Sequence, residues 1–198
     1  VDLNDAAATL PNSYNSVENI TPLETPLSST INGAALATPV FLSLYAENDL
    51  RLDKYFAETD EKGFRKNKKA GSNNYLCTFR VGEIYLTAAE AAARLGELSQ
   101  ARTRLLELMR KRYAPEAYEA KSVVVNAMDK EALVQEILDE RARELAFEGH
   151  RWFDLRRSTR PRLEKVLDGT RYVLEENDAR YTLAIPKEAI EANPGLLN

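Results

Sequence analysis

The carboxylates best placed to do chemistry are four glutamates that recur at every fourth position. They are Glu136, Glu140, Glu144 and Glu148. In an α-helix, residues four positions apart lie on one strip of the surface, about 6 Å from each other, so the four side chains are predicted to share a helix face. Like charges at this spacing oppose helix formation unless cations lie between them. The nearby candidates for such cations are Arg141, Arg143 and Arg151.

Two catalytic interpretations of these carboxylates compete with a structural one. A glycosidase needs two carboxyl groups roughly 5 to 10 Å apart on opposite sides of a sugar bond. Glu144 and Glu148 have a suitable separation, but they lie on one helix strip and are poorly placed to flank a bond. A di-iron bundle needs Glu-x-x-His pairs, and the single histidine, His150, has Phe147 three residues before it. We therefore favour an ion-pair network that holds the helix against its neighbours through Arg141 and Glu148.

Outside this helix, the sequence offers few groups for catalysis and several tyrosines for binding. No Ser or Cys nucleophile is evident as a partner for His150, and neither a phosphate-binding glycine loop nor a zinc-protease motif occurs. Cys77 lies in an apolar run and is predicted to be an inert buried thiol. Sugar-binding proteins stack aromatic rings on the apolar faces of sugar rings. The candidates in or beside predicted loops are Tyr14, Tyr45 and Tyr75, with Tyr113 and Tyr118 as further loop tyrosines.

The composition excludes several classes of protein. The chain has 198 residues, with 27 Lys and Arg against 31 Asp and Glu, one Cys and one His. One Cys cannot form an intramolecular disulfide, and one Cys with one His cannot build a four-ligand structural zinc site. The formal charge of −4 excludes a globally basic nucleic-acid binder. No apolar run approaches the ~20 residues that span a bilayer.

Two predicted helices, over residues 81–95 and from Ser99 to about Arg112, form a hairpin. In residues 81–95 the apolar residues at helical spacing are Ile84, Ala88, Ala91, Ala92 and Leu95. Gly96 is expected to end this helix, and Ser99 to cap a second helix that runs to about Arg112. The turn between them resembles that of a tetratricopeptide repeat, whose helix pairs bury their faces by stacking on other helices.

The rest of the chain is predicted to contain one long helix and irregular connections. Asp129 caps a helix that runs to about Arg157, with a kink or break at Gly149. Residues 114–128 are predicted to be a loop, and 75–79, 171–174 and 181–185 to be short strands. Residues 1–79 form an irregular, loop-rich segment with one short helix near 41–48, and residues 80–198 a helical region. The predicted fold is mainly α, with tetratricopeptide-like hairpins, long loops and few strands, in one compact unit.

Residues 140–157 carry the most specific motif, which reads ERARELAFEGHRWFDLRR. It resembles the signature of the SusD/RagB family of Bacteroidetes outer-membrane nutrient-binding lipoproteins. Residues 80–91 are similar to the helix that precedes this signature in the family, and residues 183–186 to its C-terminal ending. Asp49 and Arg51 match an upstream Asp-x-Arg step. The resemblance covers the chain from about residue 40 to its end.

The resemblance implies a helical, non-catalytic protein without a cofactor, which captures a glycan or another nutrient and delivers it to a SusC-type TonB-dependent transporter. It also implies that this chain is the C-terminal part of a longer surface lipoprotein, whose lipid-modified Cys lies upstream, since Cys77 is in mid-chain. The motif residues that match the fold signature rather than a ligand site are Arg141, Glu144, Glu148, Arg151 and Asp154. The alternative is a helical adaptor domain that binds protein partners.

Overall fold

Helices joined by short antiparallel strands make up the fold. The computed structural model describes residues 1–8, 10, 16–24, 36–69, 75–167, 169–193 and 195. In chain order, the elements are β1 (Asn19–Glu24), β2 (Leu36–Ala37), α1 (Pro39–Leu42), α2 (Arg51–Tyr55), β3 (Phe56–Thr59), β4 (Arg65–Asn67), β5 (Tyr75–Arg80), α3 (Val81–Leu95), α4 (Leu98–Met109), α5 (Pro115–Ala127), α6 (Lys130–Glu144), α7 (Arg151–Arg157), β6 (Leu163–Leu167), β7 (Thr170–Leu174), a 3-10 turn (Ala179–Tyr181) and α8 (Lys187–Ala192).

The chain divides into two compact units, Val1–His150 and Arg151–Asn198. The sequence predicts one compact unit, in which an irregular segment ends at residue 79 and a helical region begins at residue 80. In the structure, β5 runs directly into α3 at that position, and the division falls after His150 instead. Of the helices in the described part of the chain, none is both long and apolar enough to cross a membrane.

The hairpin of α3 and α4 confirms the predicted helix pair. α3 packs against both α4 and α6. Gly96 ends α3 as predicted, in the left-handed conformation with φ 87°, and its N–H donates to the carbonyls of Ala92 and Ala93. α4 begins at Leu98, two residues earlier than a helix capped by Ser99 would. Its N-cap is Glu97, without a side-chain capping bond, so the predicted Ser99 cap is wrong.

The buried face of α3 differs from the predicted stripe. Leu86, Ala89 and Ala93 are fully buried, whereas Ile84 is 43% exposed and Leu95 is 77% exposed. Alanines lie on every side of this helix, so their spacing does not distinguish the core face from the solvent face. The other members of this core include Ala92, Ala101, Leu105, Met109, Tyr113, Val125, Leu133 and Ile137.

The segment predicted to be a loop at 114–128 is a helix, α5. Pro115 occupies its first turn, where a missing N–H costs nothing and the fixed φ favours a helix. The run of three valines suggested an extended strand because β-branched residues favour strands. Tertiary packing overrides this propensity, since Val125 is completely buried in the core of the first unit.

The long helix predicted over 129–157 is two helices. Asp129 caps α6 as predicted, because its carboxylate accepts a hydrogen bond from the N–H of Ala132 at 2.9 Å. α6 ends at Glu144, and the following turn contains Phe147 and Gly149 with φ of 62° and 86°. This confirms the break predicted at Gly149. A positive φ is rare for an aromatic residue.

An aromatic cluster holds this turn in place. The Phe147 ring packs edge-to-face against Phe41 and Phe56, with ring centroids 6.2 and 6.0 Å apart. Phe41 lies in α1. Among the described residues of the first 79, this helix is one of two, whereas the sequence predicts a single one near 41–48. Nearby, β2, β4 and β3 form a three-stranded antiparallel sheet, and β1 pairs with β5.

The second unit is built from α7, a β-hairpin and two short turns of helix. β6 and β7 pair antiparallel from Leu163 opposite Leu174 to Leu167 opposite Thr170, which confirms the strand predicted at 171–174. The strand predicted at 181–185 is wrong, because Tyr181 ends a 3-10 turn. The Tyr181 ring stacks on Trp152 with centroids 5.2 Å apart.

Replacement of the α6 cap tests whether that helix depends on it. We expect Asp129→Ala to lower the free energy of unfolding by about 1 kcal/mol, because the N–H of Ala132 loses its acceptor. Asp139→Ala is the matched control, since Asp139 lies within α6 and accepts only from the Gln135 side chain at the surface. Urea denaturation measures both. Equal losses in the two variants would contradict the capping role.

Candidate functional site

Three of the four glutamates predicted to share a helix face, Glu136, Glu140 and Glu144, do so on α6, whereas Glu148 lies in the turn after this helix. An arginine bridges each neighbouring pair. Arg143 contacts Glu136 at 2.5 Å and Glu140 at 2.8 Å. Arg51 contacts Glu140 at 2.7 Å and Glu144 at 3.1 Å. Arg80 joins the next pair, with 2.6 Å to Glu144 and 2.9 Å to Glu148. These guanidiniums are the cations that the spacing requires, and we call the assembly the charge network.

Glu144 is the centre of the charge network. It is the last residue of α6 and is completely buried. Besides Arg51 and Arg80, it accepts two hydrogen bonds from Arg112, with Nε at 2.9 Å from Oε2 and Nη2 at 3.0 Å from Oε1. The three arginines come from α2, from the end of β5 and from the turn after α4. One carboxylate therefore ties three separate elements to α6.

Further acids complete the coordination of the arginines. Asp49 holds Arg51 in a bidentate pair, with 2.9 Å to Nε and 2.8 Å to Nη2. Glu18, just before β1, accepts from Arg112 at 2.6 Å and from Arg80 at 3.1 Å. The network thus extends into the N-terminal segment.

Lys69 closes the network at the C-terminal end of α6. Its Nζ donates to the carbonyl of Glu144 at 2.5 Å, to the carbonyl of Ala146 at 3.3 Å, and to Glu148. It also lies 4.6 Å from the centre of the Tyr55 ring. A cation at this position satisfies carbonyls that a helix terminus leaves free and complements the helix dipole.

The arginines keep the buried carboxylates ionised. Burial alone would raise the pKa of Glu140, but Arg51 and Arg143 outweigh it and lower the pKa to about 2. The pKa of Glu144 is likewise held well below its usual value by Arg112, Arg80 and Arg51 against the effect of burial. Burial lowers the pKa of Lys69 to about 8, against the attraction of Glu148.

These electrostatics decide between the interpretations of the glutamate row. A glycosidase needs one carboxylic acid whose raised pKa keeps it protonated near neutral pH. Glu144 and Glu148 have lowered pKa values, and both are buried among arginines and a lysine. They are therefore placed to hold the fold together rather than to transfer protons.

Glycine at position 82 lets the charge network reach α3. A Cβ at this residue would lie 2.6 Å from Nη1 of Arg80 and 3.1 Å from Oε1 of Glu144. Both distances are shorter than ordinary contacts to a side chain. A larger residue would push the guanidinium away from its carboxylate.

The structure brings together only part of the predicted motif. Glu144 and Glu148 share the network, but Arg141 lies elsewhere, with Nη1 donating to Thr87 at 3.1 Å and Nη2 4.0 Å from Glu83. The two remaining motif residues belong to the second unit. There Arg151 is exposed, and the buried Asp154 pairs with Arg157 at 2.6 Å.

Helical spacing reveals only neighbours on the same helix, which is why the main partners were not predicted. Arg112 lies 32 residues before Glu144, Arg80 lies 64 before it, and Arg51 lies 93 before it. The Asp-x-Arg step was the one sequence signal that pointed to Arg51. Nothing comparable marks Lys69 or Glu18.

The sugar-stacking candidates within the described residues lie in a strand and in the core. Tyr14 lies outside the described residues, and Tyr75 lies in β5 opposite Glu24. Tyr45 is 6% exposed, its hydroxyl donates to the carbonyl of Arg143 at 2.8 Å, and its ring packs against Phe41. A ring so deeply buried offers no open face, so Tyr45 is corrected from a sugar-stacking candidate to a core residue.

The remaining features with possible chemistry are the single histidine, potential metal ligands and a cavity. Nδ1 of His150 lies 3.6 Å from Glu83. Among the residues that the structure describes, no three His, Cys, Asp or Glu side chains group together to hold a metal ion. A cavity of about 300 Å³ adjoins the charge network, and its wall includes Glu18, Gly82 and Arg112.

Removal of the central carboxylate tests the structural role of the network. We expect Glu144→Ala to lower the free energy of unfolding by about 3 to 5 kcal/mol, because three buried arginines lose a shared acceptor. Glu164→Ala is the matched control, since Glu164 pairs with Arg162 and Arg171 at the surface, and it should leave the free energy of unfolding close to the wild-type value. Thermal and urea unfolding measure both. Wild-type stability in Glu144→Ala would refute the network.

The network also predicts sensitivity to acid. Folded-state pKa values below the unfolded value of 4.5 mean that these glutamates contribute stability above that pH, which is lost as they are protonated. We expect the free energy of unfolding to fall between about pH 5 and pH 2, the latter being the folded pKa of Glu140. Glu140→Gln should show a shallower dependence. A constant free energy over this range would contradict the assignment.

Comparison with known proteins identifies the family. The sequence model of the SusD family matches residues 35–198, which include the whole of the signature segment. No protein of curated function matches the chain significantly.

Solved structures with a similar fold agree with this match. A SusD superfamily protein from Bacteroides thetaiotaomicron VPI-5482 superposes with a TM-score of 0.67 at 21% identity, over 98% of this chain and 50% of that one. One from Bacteroides fragilis gives 0.59 at 23% identity, over 78% and 36%. A SusD-like carbohydrate binding protein from Bacteroides vulgatus ATCC 8482 gives 0.55 at 20% identity, over 79% and 40%.

These similarities, at 20–23% identity, establish the fold and confirm that it is mainly α. The chain spans 36–50% of the length of these structures. With the family model matching most of its residues, the chain belongs to the SusD family.

Proposed function

We propose that the protein is a non-catalytic binding protein that captures a glycan or another nutrient at the cell surface. In this proposal it delivers the ligand to a SusC-type TonB-dependent transporter in the outer membrane. A lipid anchor upstream of the present chain holds it there. Neither an enzyme activity nor a cofactor is needed for this role.

Family membership is the observation that carries this proposal. The family model extends from residue 35 to residue 198 and covers the signature around the charge network. One structure with the same fold is described as a SusD-like carbohydrate binding protein. Since the chain spans 40% of that protein, the ligand and the transporter are assigned to the present chain by family alone.

The chemistry of the charge network supports a binding role over a catalytic one. Its carboxylates are ionised, buried and occupied by arginines, so they have neither the protonation state nor the access that hydrolysis requires. The same features suit a rigid scaffold. A rigid scaffold lowers the entropy cost of binding because its surface is already ordered.

A helical adaptor that binds protein partners is the second candidate. The observation that favours it is the outer face of α3, where Ile84 and Leu95 are 43% and 77% exposed. Exposed apolar residues at helical spacing suit packing against another helix. An adaptor would bind a protein and no polysaccharide.

Affinity electrophoresis tests the proposed function. The protein is run in native gels that contain soluble polysaccharides, including starch, xylan, pectin and mannan. We expect slower migration in at least one of these gels than in a gel without polysaccharide, because a bound glycan mesh retards the protein.

Two controls sharpen this experiment. A non-binding protein of similar size and charge corrects for sieving by the polysaccharide, and acid-unfolded protein shows whether retardation needs the fold. Unchanged migration across the whole panel would count against glycan capture and favour the adaptor.

A further inference from the structure

The cavity beside the charge network has the dimensions of a small-molecule site. It lies between the residues before β1, the start of α3 and the end of α4, and its volume is about 300 Å³. Binding sites for small molecules begin at about this volume, so the cavity suits a single ring rather than a long oligomer. The lining residues that matter here are Val17, Glu18, Val81, Tyr85, Glu107 and Lys111.

One part of the cavity wall is apolar and includes an aromatic ring. Val81 and Tyr85 stand one turn apart at the start of α3, and both are half-buried. Leu108 is 5% exposed and adds aliphatic surface from α4. A half-buried tyrosine presents an apolar ring body together with a polar hydroxyl, which matches the C–H face and the hydroxyl groups of a sugar.

A fixed carboxylate supplies an acceptor in the same cavity. Oε1 of Glu18 accepts from the Val1 nitrogen at 3.0 Å and from Arg112 at 2.6 Å, whereas Oε2 accepts from Arg80 at 3.1 Å. A carboxylate has about four acceptor positions, so Oε2 keeps one beyond these contacts. Because the two arginines are fully buried, the position of Glu18 is set before any ligand arrives.

The polar groups of the wall match a ligand that both donates and accepts hydrogen bonds. Glu18 requires a hydrogen-bond donor, which a hydroxyl group provides. At the rim, Glu107 and Lys111 have side chains that are each 44% exposed, and the exposed Arg110 also lines the cavity, so the rim offers an acceptor and two cationic donors. A hydroxyl both donates and accepts, so a neutral polyol ring matches this mixture.

We propose that this cavity binds one neutral pyranose unit of a glycan, with Tyr85 against the ring and Glu18 accepting from a hydroxyl. This inference rests on the proposed function, because it names a subsite for the class of ligand assigned there. It adds the position of the subsite and the two residues that would hold the ring.

Titration of the isotope-labelled chain, followed by two-dimensional NMR, tests the proposal. The probes are the methyl glycosides of glucose, galactose, mannose and xylose. Two variants alter the cavity without touching the charge network: Val17→Trp fills its mouth at an 85% exposed position, and Tyr85→Ala removes the ring. We expect a neutral glycoside to bind, and each variant to weaken its binding about tenfold or more.

Matched variants separate loss of the site from loss of the fold. Val123→Trp places the same substitution at a 69% exposed position on α5, so it should bind as the wild type does. Tyr85→Phe keeps the ring and loses only the hydroxyl, so it should bind more tightly than Tyr85→Ala. The proposal is overturned by wild-type affinity in Val17→Trp and Tyr85→Ala. Absence of binding by every neutral glycoside also overturns it.

The polysaccharide gels distinguish failure of the cavity assignment from failure of the proposed function. Retardation that persists in Val17→Trp would mean that the glycan is held elsewhere, so that only the cavity assignment falls. Loss of retardation in Val17→Trp but not in Val123→Trp places the captured glycan in this cavity. A wild-type chain that is retarded by no polysaccharide and binds no glycoside would remove both proposals.

Discussion

Burial of the Glu144 carboxylate is the constraint on which the rest of the first unit depends. An ionised carboxylate removed from water is costly unless cations and hydrogen-bond donors surround it. Three arginines supply these donors, and each of them is completely buried as well. The elements that carry the arginines therefore have to meet at the end of α6. The strands, helices and turns around this point together supply the hydrogen-bond donors that this carboxylate requires.

The network also explains the local features that surround it. Glycine at 82 leaves room for the Arg80 guanidinium where α3 begins. Lys69 binds the last carbonyl of α6 and the carbonyl of Ala146 in the turn that follows, and this turn returns Glu148 to the same cluster. Glu18 belongs both to the network and to the wall of the adjoining cavity. A ligand in that cavity would thus meet a surface whose charged members are already held by other contacts, which favours selective binding.

The features that the sequence predicts correctly are those determined by interactions between neighbouring residues. The bounds of α3, its glycine end, the Asp129 cap and the break at Gly149 all follow from rules that involve a few neighbouring residues. The shared face of Glu136, Glu140 and Glu144, and its need for intervening cations, follow from helix geometry alone, whereas Glu148 lies beyond the end of α6. The identity of those cations does not follow from helix geometry, because Arg51 and Arg80 reach α6 through tertiary contacts. For the same reason, the core face of α3 and the helical state of α5 were mispredicted, since packing decides both.

The order of these residues along the chain has a consequence for biosynthesis. Arg51, Arg80 and Arg112 all leave the ribosome before Glu144, by 93, 64 and 32 residues. Until that glutamate emerges, the earlier elements carry three guanidiniums whose common acceptor has not been made. Their native packing would bury unpaired charge, so it is unfavourable until α6 is complete. A chain truncated before the last turn of α6 is therefore expected not to pack these earlier elements in their native arrangement.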